Sequence, residues 1–199
     1  DALVLHYQPV VRTDDNMVVA FEALMRWDHP ERGPISPNVF VPIAEESDLI
    51  NGIGAWALNR ACMDAMAWPK SVRVAVNVSA AQFAHAELID TVAHALQTSG
   101  LDPDRLELEL TESVFMGDFE TIDDIFRALK DLGVRLALDD FGTGYSSLSY
   151  LRSAPFDKIK VDRTFVESCT QKDQNSAKII AAIISLSDAL GMETTVEGV

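Results

Sequence analysis

Hydrophobic and polar positions follow two distinct periods along the chain. Two apolar runs near the start, Leu3–Val11 and Met17–Leu24, are typical of strands, and the polar turn Thr13–Asn16 between them predicts an antiparallel hairpin. From Val72 onward, short apolar segments alternate with longer segments in which apolar residues recur every three or four positions. This alternation predicts a parallel sheet with helices packed outside it.

The same pattern predicts how many strands the sheet contains, and the number of strands indicates its architecture. Further strands are predicted at Val72–Val78, Leu106–Leu110, Val134–Leu138, Lys158–Val161 and Glu193–Val196. Helices are predicted at Asn38–Glu46, Asn51–Ala67, Ala86–Thr98, Phe119–Leu132 and Ser176–Leu190, with a short one near Ser147–Arg152. A closed barrel of this kind has eight strands, whereas seven are counted here. We expect a barrel whose C-terminal end lies outside the chain, and an open doubly wound sheet is the competing architecture.

Polar residues recur where the predicted strands end. They are Glu22, Asn77, Glu109, Asp139, Asp140, Lys160, Asp162 and Glu197, with Glu112 shortly after the strand that carries Glu109. Each has an ordinary explanation on its own, since a single Asp can cap a helix, an Asn can sit in a turn and a Lys can face solvent. The C-terminal ends of barrel strands converge on one rim, so their repeated placement predicts a shared site there.

The residue types at this rim indicate metal chemistry on a phosphate. Oxygen ligands suit Mg²⁺ or Mn²⁺, and the four histidines show no ligand spacing that would favour zinc. Adjacent Asp139 and Asp140 would repel each other unless cations lay beside them. Two divalent ions about 3.5–4 Å apart would offset that repulsion and activate a water. Lys160 would then orient the attacking water or neutralise developing charge.

Composition narrows the class of protein further. The net charge of -15 argues against general binding to DNA or RNA, although it is compatible with a phosphate substrate held through metal ions. Two distant cysteines, Cys62 and Cys169, are typical of reduced thiols in a cytosolic protein. No apolar run approaches the roughly 20 residues of a membrane span. The Gly-rich stretch after Asp140 lacks the P-loop pattern and could be a flexible phosphate loop or a hinge.

Several stretches together resemble the EAL domain family of bacterial cyclic di-GMP phosphodiesterases. The matching stretches are YQPV (Tyr7–Val10), EALMRW (Glu22–Trp27), VNVS (Val76–Ser79), ELTES (Glu109–Ser113), DDFGTGYSSLSYL (Asp139–Leu151), KIKVDRTF (Lys158–Phe165) and VEGV (Val196–Val199). They occur in register over essentially the whole chain. The resemblance implies an α/β fold, a modified TIM (β/α)8 barrel with an antiparallel first strand. It also implies a single domain over residues 1–199 that lacks the family's C-terminal strand and helix and part of its N-terminal region.

The resemblance also implies a role for each site residue. Glu22, Asn77, Glu109 and Asp139 would hold one Mg²⁺ or Mn²⁺, and Asp139, Asp140 and Glu197 the second. Lys160 would position the water. The catalytic residues would be Lys160, Glu22 and Glu197. Gln8, Leu24, Arg26 and Asp162 would contact the dinucleotide, although Gln8 and Leu24 are also compatible with purely structural positions. Glu112 would steady the loop that begins at Asp140.

The activity implied is hydrolysis of cyclic di-GMP to linear pGpG by a two-metal activated water. The alternative is an EAL domain that has lost catalysis and acts as a cyclic di-GMP receptor or protein-interaction module. The intact metal motifs favour the enzyme. The family further implies a homodimer, fusion to sensory or diguanylate cyclase-like domains, and a cytoplasmic location for the domain even where the parent protein is anchored to a membrane. No DNA binding is expected.

Overall fold

An eight-stranded sheet forms the centre of the protein in a computed structural model, which describes residues 3–116, 119–142, 151, 154–170 and 174–198. The strands are β1 (Leu3–Val11), β2 (Val18–His29), β3 (Gly33–Ile35), β4 (Arg73–Val78), β5 (Leu106–Thr111), β6 (Arg135–Phe141), β7 (Lys158–Val161) and β8 (Glu193–Val196). Their order in the sheet is β1-β2-β4-β5-β6-β7-β8, and β3 pairs with β2 off this path. The first pair is antiparallel, and every pair from β2–β4 onward is parallel. The predicted antiparallel first strand is therefore confirmed.

Helices connect the parallel strands and cover the outside of the sheet. They are α1 (Pro37–Glu46), α2 (Leu49–Ala65), α3 (Ala80–Phe83), α4 (Glu87–Ser99), α5 (Phe119–Asp131), α6 (Arg163–Thr170) and α7 (Gln174–Leu190). Two short 3-10 helices, at Pro103–Arg105 and Glu112–Met116, flank β5. The apolar faces of these helices and of the strands between them share one core of leucine, valine, alanine and phenylalanine side chains.

The sheet is strongly curved, which decides between the two architectures that the strand count allowed. Neighbouring strands lie about 4.8 Å apart, so β2 and β7 would be about 19 Å apart in a flat sheet. Instead, Glu22 on β2 comes within 3.6 Å of Lys160 on β7. Arg73 on β4 likewise reaches Glu193 on β8 at 3.1 Å. These contacts cross the interior of a partial barrel and exclude an open doubly wound sheet.

The predicted elements agree with the structure in type and differ at three places. Strand β2 runs to His29 and folds back into β3, whereas the Pro- and Gly-rich composition of Asp28–Ser36 predicts a loop. Helices α3 and α6 were not predicted. The short helix expected near Ser147–Arg152 and most of the Gly-rich segment lie outside the described residues. In the part of the chain that the structure describes, no helix has the length and apolar character needed to cross a membrane.

Candidate active site

Lys160 lies at the centre of the C-terminal rim of the partial barrel. Its Nζ atom lies 2.8 Å from Glu109 Oε2, 3.1 Å from Asp139 Oδ2, 2.9 Å from Glu197 Oε1 and 3.6 Å from Glu22 Oε2. These carboxylates come from β2, β5, β6 and the residue after β8. The sequence placed all five residues at one rim, and the structure brings them into direct contact.

Three of the carboxylates belong to a tighter group that could hold a cation. Oxygen atoms of Glu22, Glu109 and Asp139 lie within 4.8 Å of one another. Asn77, at the end of β4, donates a hydrogen bond from Nδ2 to Glu22 Oε1 at 2.9 Å, and its backbone pairs with Glu109 in the parallel register. Among the described residues, the amide oxygen of Asn77 accepts no hydrogen bond, so it is available as a ligand. An oxygen-only set of this kind fits Mg²⁺ or Mn²⁺.

The electrostatics of the group also fit a divalent cation. Four carboxylates surround a single ammonium, so negative charge is in excess. Burial raises the pKa of Glu109 well above its usual range, and Glu22 and Asp139 add to this rise while Lys160 opposes it. Burial disfavours the charge on Lys160, but attraction to Glu109, Asp139 and Glu22 outweighs burial and raises its pKa. A bound cation would offset both the burial of Glu109 and its repulsion by Glu22 and Asp139.

Asp139 and Asp140 form a bulge at the end of β6. The pairing with β7 shifts by one residue between Leu138 and Phe141, and Asp140 adopts a left-handed backbone with a φ of 53°. Bulges of this kind redirect side chains beside functional sites, and Asp is among the few residues that tolerate the conformation. The backbone N–H of Asp140 donates to Asp139 Oδ1 at 2.9 Å. Burial, followed by repulsion from Asp139 and Asp162, raises the pKa of Asp140 to about 6.

Asp162 and Glu112 extend the site on either side of this bulge. Asp162 makes a hydrogen bond with Asp140 and accepts bonds from the backbone N–H (3.0 Å) and the hydroxyl of Thr164 at the start of α6. Although desolvation opposes the change, these hydrogen bonds lower the pKa of Asp162. Glu112 Oε1 accepts the backbone N–H of Gly142 at 3.1 Å, a contact consistent with its predicted role on the loop after β6.

A cavity of about 390 Å³ opens beside Asn77 and has the size of a ligand-binding cleft. Leu24 and Arg26 line it, as do the start of α1 at Pro37 and Asn38 and the hydroxyl-bearing Thr111. The predicted substrate contacts Leu24 and Arg26 are therefore next to the acidic group. Gln8 is exposed and stands opposite Glu22 in the β1–β2 register, outside the residues that line this cavity.

Sequence reasoning missed Asn38, Thr111 and the second buried charge pair of the barrel, Glu107 with Lys158. Glu107 and Lys158 lie on the same strands as Glu109 and Lys160, two residues earlier, and they are in contact at 2.5 Å. The repeat within LELEL and KIKV was the available signal, since positions two apart on a strand face the same side. No comparable signal marks Asn38, which is the first residue of a predicted helix.

Comparison with known proteins places the chain in a family. The EAL domain family matches residues 1–199, so the chain belongs to the EAL domain family. An uncharacterized signaling protein of Caulobacter vibrioides is 51% identical over 99% of this chain and 24% of its own length. The bifunctional diguanylate cyclase/cyclic di-GMP phosphodiesterase MucR of Pseudomonas aeruginosa is 43% identical over 99% of this chain and 29% of its own length. The chain therefore spans about a quarter of the length of these relatives.

Solved structures agree with the family and with the fold. The structure described as PaMucR phosphodiesterase in complex with c-di-GMP has a TM-score of 0.94 and 43% identity, covering 100% of this chain and 81% of that one. The EAL enzyme Bd1971, in its form with cAMP and cyclic di-GMP bound, has a TM-score of 0.92 and 32% identity, covering 100% and 55%. The predicted TIM-barrel-like α/β fold is confirmed by these likenesses.

Proposed function

We propose that this domain hydrolyses cyclic di-GMP to linear pGpG in a metal-dependent reaction. The observation that carries the proposal is the oxygen-only group of Glu22, Glu109 and Asp139 around Lys160, next to a cavity of about 390 Å³. The domain is 43% identical to MucR, whose name gives cyclic di-GMP phosphodiesterase as one of its activities. It is also 42% identical to NbdA of Pseudomonas aeruginosa, a cyclic di-GMP phosphodiesterase by name.

The residues of the rim would hold two divalent ions. Glu22, Asn77, Glu109 and Asp139 would take one Mg²⁺ or Mn²⁺, with Asp139, Asp140 and Glu197 taking the second. The pair of ions would activate a water and stabilise the oxygens of an in-line displacement at phosphorus. The excess of carboxylates over the single ammonium of Lys160 supports this assignment, because the group otherwise carries uncompensated charge.

The remaining residues would bind and orient the reactants. Lys160 Nζ donates to Glu109 and Asp139, and these bonds support a role for Lys160 in orienting a water between those carboxylates and a phosphate. Arg26 and Leu24 line the cavity and would contact a phosphate and a guanine of the dinucleotide. Gln8 and Asp162 are assigned to substrate contacts on the EAL resemblance alone, and Glu112 to the loop that follows Asp140.

Three properties of the parent protein stay predictions. They are fusion to sensory or diguanylate cyclase-like domains, a homodimeric state and a cytoplasmic location for this domain. The greater length of the relatives supports the first of these.

A cleavage assay on the complete parent protein tests the proposal. We expect pGpG to be released from cyclic di-GMP with Mn²⁺ or Mg²⁺, and release to stop with a chelator. Glu22→Ala should abolish turnover, because Glu22 is both a carboxylate ligand and the partner of Asn77. Glu46→Ala, on the exposed end of α1, is the control and should leave the rate unchanged. Tight binding of cyclic di-GMP without cleavage under either metal would contradict the proposal and favour a receptor.

A further inference from the structure

The turn that follows Asn77 is closed by a reciprocal pair of hydrogen bonds. The backbone N–H of Ser79 donates to Gln82 Oε1 at 3.2 Å, and the backbone N–H of Gln82 donates to Ser79 Oγ at 3.3 Å. This is a capping box at the start of α3, and it satisfies two N–H groups that the helix itself cannot pair. The capping box therefore fixes the backbone at Ser79, two residues after Asn77, where the chain passes from β4 into α3.

Gly54 on α2 makes room for the Gln82 side chain, which is only 5% exposed. A Cβ atom at Gly54 would lie 1.9 Å from Gln82 Nε2 and 2.9 Å from Gln82 Oε1, the atom that accepts from Ser79. Real side chains do not approach that closely, so any larger residue at this position would displace the Gln82 amide. Because the amide lies at the end of a flexible side chain, it can move away without disrupting α2. The hydrogen bond that the Ser79 N–H donates to Gln82 Oε1 would then be lost.

We propose that Gln82, seated on Gly54, is a positioning residue for the metal ligand Asn77. The inference rests on the proposed function, in which Asn77 is a ligand. The orientation of Asn77 depends on the backbone at the end of β4, since its side chain is exposed and its Nδ2 makes a single described bond, to Glu22. Holding Ser79 in place limits the movement of that backbone. Groups that orient a metal ligand typically change metal affinity by about 10- to 100-fold when they are removed.

The test measures Mn²⁺ binding by calorimetry in the parent protein, together with its thermal unfolding midpoint without metal. Gln82→Met keeps the shape of the side chain and removes the acceptor, and Gly54→Ala displaces the amide. We expect both to weaken Mn²⁺ binding about 10-fold. Gln82→Glu keeps an acceptor in the capping box and should stay within about threefold of the wild type. Gly52→Ala is the control on the same helix, because a Cβ there meets nothing within 4 Å.

The outcomes separate a positioning role from a merely structural one. Weaker Mn²⁺ binding in Gln82→Met and Gly54→Ala, restored in Gln82→Glu, supports the proposal. A lower unfolding midpoint with unchanged Mn²⁺ affinity overturns it. If Gln82→Met does not fold, Ser79→Ala replaces it in the test, because this change removes the other side-chain acceptor of the capping box. Its Mn²⁺ affinity and unfolding midpoint are then compared with those of the wild type. A wild type that binds Mn²⁺ yet never cleaves cyclic di-GMP would contradict the proposed function while leaving this comparison valid.

Discussion

Lys160 carries one positive charge among four carboxylates, and its side chain is only 2% exposed. Because it bonds carboxylates that would hold a metal ion in the proposed reaction, it would compete with that ion while also taking part in the reaction. Lys160→Met keeps the length of the side chain and removes the charge. We expect turnover of cyclic di-GMP to fall about 100- to 1000-fold, the usual loss for a group that stabilises developing charge. Mn²⁺ affinity, followed by calorimetry, should be unchanged or higher.

Lys158→Met is the matched control for that prediction. Lys158 lies on the same strand two residues earlier, is 5% exposed and pairs with a buried carboxylate, Glu107, that is outside the metal group. Its loss should lower stability without lowering turnover at a temperature where the variant remains folded. Equal losses of turnover in the two variants would show that Lys160 acts through general stability and not through the reaction.

The sequence predicted the identity of the site residues better than their geometry. Glu22, Glu109, Asp139, Lys160 and Glu197 could be placed at one rim because parallel strands end on the same side of a sheet. Their separations could not be predicted, since these depend on how far the sheet curves. The bulge at Asp139 and Asp140 was also hidden, because a left-handed aspartate leaves no distinct sequence pattern.

The connection between α2 and the sheet depends on one buried arginine. Arg105, in the 3-10 helix before β5, donates to the carbonyl oxygen of Ala65 at 2.8 Å and to that of Val72 at 2.9 and 3.0 Å. Those carbonyls lie at the end of α2 and just before β4. One side chain thus ties three elements together through carbonyl oxygens, and the Ala65 oxygen also accepts the backbone N–H of Trp68.

Removal of this arginine should therefore destabilise the fold at the level of its elements. We expect Arg105→Met to lower the free energy of unfolding by about 2–5 kcal/mol, because the carbonyl oxygens of Ala65 and Val72 lose the buried hydrogen bonds that the guanidinium donates. Denaturant unfolding at constant pH measures the change. Asp104→Asn, exposed on the same short helix, is the control and should change stability by less than about 0.5 kcal/mol. A stability equal to the wild type for Arg105→Met would mean that water replaces the lost donor.

Helices and strands were predictable where a long segment follows one apolar periodicity. They were missed where polar residues interrupt that periodicity. Strand β2 continues through Arg26, which pairs with β1, and through Asp28, which pairs with β3. Gly33, with a φ of 70°, allows the return. A Pro- and Gly-rich stretch cannot be distinguished from a loop until that pairing is known. Helix α6 contains several β-branched residues, which weaken the helical signal. The available sequence signal for the start of α6 was Asp162, an N-cap residue whose carboxylate accepts the backbone N–H of Thr164.

At the scale of the whole molecule, the interior of the partial barrel holds two layers of charge. The upper layer is the candidate site around Glu109 and Lys160. The lower layer is a network of Arg73, Glu107, Arg135, Lys158 and Glu193 that joins β4, β5, β6, β7 and β8. Since the lower layer contains three cations and two carboxylates, its charges are close to balanced, whereas the upper layer has an excess of carboxylates. This contrast separates a structural network from a site suited to a cation.

The lower layer predicts a strong coupling between Glu107 and Lys158 that leaves catalysis untouched. Glu107→Leu leaves Lys158 buried without its nearest carboxylate, so unfolding free energy should fall by about 3–5 kcal/mol. In Glu107→Leu/Lys158→Met both charges are replaced by apolar groups, and most of that loss should be recovered. Denaturant unfolding of the two single variants and the double variant gives the coupling energy. Turnover should match the wild type wherever the protein is folded, because the network lies two residues below the metal group. Additive losses would contradict the coupling between Glu107 and Lys158, and turnover that falls in the double variant would show that the two layers are not independent.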